Sequence, residues 1–109
     1  MNKLITLFLV AALSACATPD AMRKEAPMLE LTSSRSSKVV AMCIADRWEN
    51  AAFGADPVNF RPTSDGYTMN CCLGMAVADV TDVLNGSKTR FFADWRFKGS
   101  YDEMVKECQ

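Results

Sequence analysis

Tyr67-Thr68-Met69-Asn70-Cys71-Cys72-Leu73, Ala76-Val77-Ala78-Asp79-Val80-Thr81-Asp82-Val83-Leu84 and Lys88-Thr89-Arg90-Phe91-Phe92-Ala93-Asp94 are the three runs that decide the fold. In the first, Tyr67, Met69, Cys71 and Leu73 alternate with Thr68, Asn70 and Cys72, the period of a strand with one buried face. Gly74 breaks or bulges the chain before the second run. Asn85-Gly86 separates the second run from the third and is a strong hairpin signal, because both residues tolerate positive φ. In the third run Thr89, Phe91 and Ala93 oppose Arg90, Phe92 and Asp94, which puts Phe91 inward and Phe92 outward. Working upstream, Ser64-Asp65-Gly66 is a turn signature. It is preceded by a short strand, Val58-Asn59-Phe60-Arg61, that Pro62 ends or confines to an edge. These runs predict a four-stranded antiparallel meander.

A meander with one apolar face needs a covering layer. Upstream, Val40, Cys43, Ile44, Arg47 and Trp48 recur at steps of three and four, one face of a helix capped by Ser34 or Ser36 and ending near Ala52. Downstream, Gly99-Ser100 opens a second helix through Glu107, with Asp102 and Glu103 at its positive end. The expected fold is α+β: the meander with an N-terminal and a C-terminal helix packed on one face, spanning residues 34–109. Residues 17–33 carry two prolines and no sustained period and read as a tether. A coil of about 17 residues spans roughly 20–25 Å. Within it, Leu29 and Leu31 flank Glu30 and suggest a short edge strand.

Composition narrows the chemistry. The 109 residues make room for one domain, and there is no histidine. That removes Ser-His and Cys-His nucleophile pairs, His-bearing zinc sites and His pH switches. With a formal net charge of -1 there is no electrostatic footprint for nucleic acid. Asp79 and Asp82 are three apart on a strand, hence on opposite faces, and do not form a general acid/base pair. No Gly-rich phosphate loop, nucleophile elbow or calcium loop is present. The expectation is a chain that is not an enzyme and carries no metal or cofactor.

The first sixteen residues say more. Lys3 precedes an apolar run from Leu4 to Leu13, followed by Ser14-Ala15-Cys16, the layout of a secretory signal too short to span a membrane. Leu13-Ser14-Ala15-Cys16 resembles the lipobox of bacterial lipoproteins. That resemblance implies cleavage after Ala15, diacylglycerol on the Cys16 thiol and acylation of its amino group. Each acyl CH₂ buried in a bilayer contributes roughly 0.8 kcal/mol, so several chains on one residue hold firmly. Ala17 follows the modified Cys; by the Gram-negative sorting rule, a residue other than Asp there implies the periplasmic face of the outer membrane.

Four cysteines remain: Cys43, Cys71, Cys72 and Cys108. In an exported domain this small an even number points to disulfides, and four allow three complete pairings. Helices covering one sheet face would bring Cys43 and Cys108 together, the favoured pairing, with Cys43–Cys71 as the alternative. Adjacent on a strand, Cys71 and Cys72 read as one core and one surface thiol without redox or metal function. The segment from Arg90 to Lys98 interleaves four aromatics with basic residues. Phe91 and Trp95 are assigned to the core, Arg90 and Phe92 to an outward contact surface shared with Thr68, Asn70 and Cys72. The functional expectation is a membrane-anchored, non-catalytic binding or envelope-maintenance module whose partner is an envelope protein or cell-wall component. The alternative is an inhibitor or immunity-type lipoprotein against a cell-wall-directed enzyme.

Overall fold

A computed structural model describes residues 19–51 and 57–109. The expected signal peptide and Cys16 lie outside the described residues, and the first covering helix, expected to end near Ala52, ends at Glu49 with Asn50 as its cap. The fold is α+β and its sheet is antiparallel throughout, but it has five strands, not four. In chain order the elements are α1 (Pro19–Arg23), β1 (Leu29–Ser33), α2 (Ser37–Glu49), β2 (Asn59–Thr63), β3 (Gly66–Cys71), β4 (Ala76–Val83), β5 (Gly86–Ala93), a 3₁₀ turn (Trp95–Phe97) and α3 (Tyr101–Glu107). The sheet order is β1-β5-β4-β3-β2. The meander of the last four strands is joined by β1, which lies along β5 with Leu29 opposite Phe91 and Ser33 opposite Ser87. Two features make β1 worth forming. Leu29 and Leu31 pack against the core, while Glu30 on the other face meets Lys88 at 2.6 Å.

The helical layer on the core face consists of α2 and α3. Ser36 caps α2 by accepting from the Val39 N–H at 3.3 Å, and Val40, Ala41, Ile44, Ala45 and Trp48 are its buried stripe. Trp48 is the centre of the core. Its ring lies 5.8 Å from Phe91 and 5.6 Å from Tyr101, and Phe97 meets Tyr101 edge-on at 5.0 Å. Rings from α2, β5, the 3₁₀ turn and α3 therefore lock together, each such pair adding about 0.5–1.5 kcal/mol beyond its buried area. Asp102 accepts from the Gly99 N–H at 2.6 Å and closes the start of α3. Cys43 and Cys108 are joined, S–S 2.03 Å, and fasten the two helices to each other. Arg47 and Glu107 form an ion pair across the same helix junction.

Around the turns two expectations fail, and the Asn85-Gly86 hairpin forms with its turn one residue earlier. The second strand does not run through Leu73. It stops at Cys71, and Cys72, Leu73 and Gly74 take φ of 62°, 60° and 78°. The reversal swings Cys72 round to the core, where it is 8% exposed and its Sγ lies 3.7 Å from the Tyr101 hydroxyl. Cys71 and Cys72 are thus both buried with their sulfurs against one another, instead of divided between core and surface. At the hairpin, the turn residues are Leu84 and Asn85, and Gly86 already pairs with Val83. Asn85 supplies the positive φ, 65°. Gly86 also has positive φ, 157°, and a Cβ there would collide with the Ser33 carbonyl of β1. Finally, Trp95 is not in the core. It follows the last strand into the 3₁₀ turn and is 78% exposed, and Phe97 takes the inward place.

Candidate functional site: the polar face of the sheet

Thr68, Asn70, Asp79, Thr81, Lys88 and Arg90 alternate with the core residues of β3, β4 and β5 and so share the face away from α2 and α3. Thr68 stands opposite Asp79, and Asp79 opposite Arg90. On β2, Arg61 is level with Thr68. This is the face expected to be uncovered, yet α1 lies over it against β4 and β5. Five residues are too few to hold a helix by backbone bonds alone. Its grip comes from Arg23, whose Nε and Nη2 donate to the two Asp79 carboxylate oxygens at 2.8 and 3.0 Å. Nη2 also donates to Thr68 Oγ1 at 2.8 Å, and Thr68 in turn donates to Asp79 at 2.6 Å. Asp20 accepts from Nη1 at 2.9 Å. The Asp79 hydrogen bond outweighs the partial burial of Arg23 and raises its guanidinium further above its ordinary value. Such a bidentate, half-buried pair is the strong kind of salt bridge.

The cover changes the standing of Phe92. Expected as an outward contact, it is 6% exposed, facing Val77 across the β4–β5 pair on a small apolar patch of the α1 side. Phe92 is therefore chiefly a packing residue, with only a small part of it left to line the groove beside α1. Arg90 remains exposed, reaching Glu30 at 3.3 Å. The Lys88 hydrogen bond is the main cause that holds the Glu30 carboxyl below the usual range, with Arg90 adding to it.

Beside α1 the sheet face forms an open groove of about 630 Å³, lined by Arg23, Arg61, Lys88 and Arg90 and by the carboxylates Asp65 and Asp79, with Phe92 at its floor. Arg23, Lys88 and Arg90 have carboxylate partners. Arg61, exposed on the edge strand, has none among the described residues. The groove lining thus holds four cations against two carboxylates, and the exposed Arg61 offers it a forked donor set that suits a carboxylate or phosphate. Sequence reasoning placed Arg90 on this face but missed Arg23 and Arg61. Arg23 sat in a presumed tether, and Arg61 in a strand whose register was open until it paired with β3. Among the described residues no group of three His, Cys, Asp or Glu side chains is placed to hold a metal, and no helix is long and apolar enough to cross a membrane. Neither a family model, nor a curated protein, nor a solved structure matches the chain.

Proposed function

We propose that the protein is a lipid-anchored module on the periplasmic face of the outer membrane, which binds an acidic envelope partner without catalysis. The leader and Cys16 support the anchor. The groove on the polar face supports the binding, and Arg61 is the observation that carries it: an exposed guanidinium with no carboxylate partner among the described residues, beside three partnered cations. A wall peptide or an acidic protein surface would supply the missing charge. A rim charge of this sort acts mainly on encounter rate and salt dependence. Cosedimentation of the purified protein with isolated cell-wall sacculi, and crosslinked capture from envelope extracts, test the reading. Arg61→Glu should weaken binding about tenfold, equivalent to about 1.4 kcal/mol, and flatten its salt dependence. Unchanged capture by a folded Arg61→Glu variant would remove the groove from consideration.

The inhibitor reading draws on a different feature, Leu84, which is 92% exposed at the tip of the β4–β5 hairpin. A side chain on a tight turn can enter an enzyme cleft. Loss of capture in Leu84→Ala with Arg61→Glu unaffected would favour it.

A further inference from the structure

One end of the sheet carries two large exposed apolar side chains together. Leu73, 79% exposed, sits on the turn between β3 and β4, and Trp95, 78% exposed, sits just beyond β5. The two segments are tied side by side. The Asp94 N–H donates to the Met75 carbonyl at 3.1 Å, and Arg96 Nη2 reaches the Met75 sulfur at 3.6 Å. Single exposed apolar residues are normal on a protein surface. A Leu and a Trp on adjoining segments, with Lys98 three residues beyond the Trp and Arg96 held by Asp94 at 2.9 Å, are a different matter. Indole is at home at the level of lipid headgroups, and the Lys98 ammonium suits their phosphates.

The path of the chain selects the occupant. Pro19, the first residue of α1, borders a hollow with Asn59 and Asn70, and those two face each other at the same end of the sheet, next to Cys71 and the Leu73 turn. From there α1 runs away to Arg23 at the Thr68–Asp79 level. Cys16 precedes Pro19 by three residues, which reach at most about 11 Å. A lipid on Cys16 thus holds this end of the domain, and no other, within reach of the bilayer.

We infer that Leu73 and Trp95 dock on the surface of the membrane that carries the lipid anchor, setting the domain upright on it. This rests on acylation of Cys16. The test uses the mature protein extracted from membranes and reconstituted into phosphatidylethanolamine/phosphatidylglycerol vesicles, with and without brominated acyl chains. The chain has two tryptophans; Trp48 is 1% exposed in the core, so Trp95 reports the surface. Brominated lipid should quench the Trp95 emission, iodide should lose access to it, and Trp95→Phe should abolish both effects. Leu73→Asp should restore iodide access without changing the melting temperature. An acylated protein whose Trp95 stays open to iodide and untouched by bromine overturns the docking alone. A chain with no acyl group on Cys16 by mass spectrometry overturns the anchor and the docking with it.

Discussion

Phe91 and Phe92 are neighbours in sequence and opposites in position. Phe91, fully buried, is clamped by Trp48 at 5.8 Å on the two-helix side; Phe92 is buried on the side closed by α1. Both truncations should therefore cost stability, but unequally. Phe91→Ala opens a cavity inside interlocked rings that cannot close up, at about 3–5 kcal/mol. Phe92→Ala should cost about 2–3 kcal/mol, because a short helix held by one arginine can settle into the gap. Thermal or urea melts of the two variants decide the ranking. A Phe92→Ala protein as stable as the wild type would mean that α1 leaves this ring open to water. The alternation of β5 made the opposite facing of the two rings legible. The burial of Phe92 was not legible, since it depends on Arg23 finding Asp79 from 56 residues away.

At the scale of elements, the junction of α2 and α3 is the most exposed to a single change. Cys43 and Cys108 are 65 residues apart, and closing a loop of that size stabilises by roughly 4 kcal/mol on the chain-entropy model. Cys43→Ser should lower the melting temperature by well over 10 °C, since about 1 kcal/mol moves a domain of this size by roughly 4–8 °C. Peptide mapping without reductant should recover a Cys43–Cys108 crosslink; a Cys43–Cys71 crosslink would contradict the pairing described here. The meander, α2 and α3 could be read from periodicity and turn residues because each is long enough to show its period. Two other elements were legible only in part. In β1, the single alternation of Leu29 and Leu31 suggested the edge strand that is found, but not its partner, which lies on β5 at the far end of the chain. The turn at Cys72 has Gly74 as its one local signal. Nothing in Cys72 or Leu73 announces positive φ, which is imposed by the need of β4 to return along β3.

For the whole molecule, the proposed membrane attachment rests on one sulfur. Cys16→Ser removes the proposed acceptor of diacylglycerol, so the protein should persist as an uncleaved precursor or appear in the soluble fraction. Wild-type protein should give a peptide mass with acylated Cys16 at its N-terminus. A mature chain that begins elsewhere and bears no lipid would refute the assignment. The disulfide, the aromatic cluster and the β1–β5 ladder are built from residues 29–108 and do not include Cys16. The Cys16→Ser domain should accordingly melt at the wild-type temperature, which separates loss of attachment from loss of fold.

The Arg23–Asp79 clasp would have a mechanical consequence if, as proposed, the chain is held by lipid on Cys16 and pulled by a wall-bound partner. Tension entering at Cys16 meets the clasp before it meets the sheet, and the clasp hands it to β4, the middle strand. Should the clasp slip, the load passes to β1 from its Leu29 end, the end nearest the Trp95 side of the sheet. Pulling there runs along the strand, so the rungs from Leu29–Phe91 to Ser33–Ser87 share the force in shear instead of parting one at a time. A short helix and a five-residue strand thus act in series as a strain relief between anchor and core.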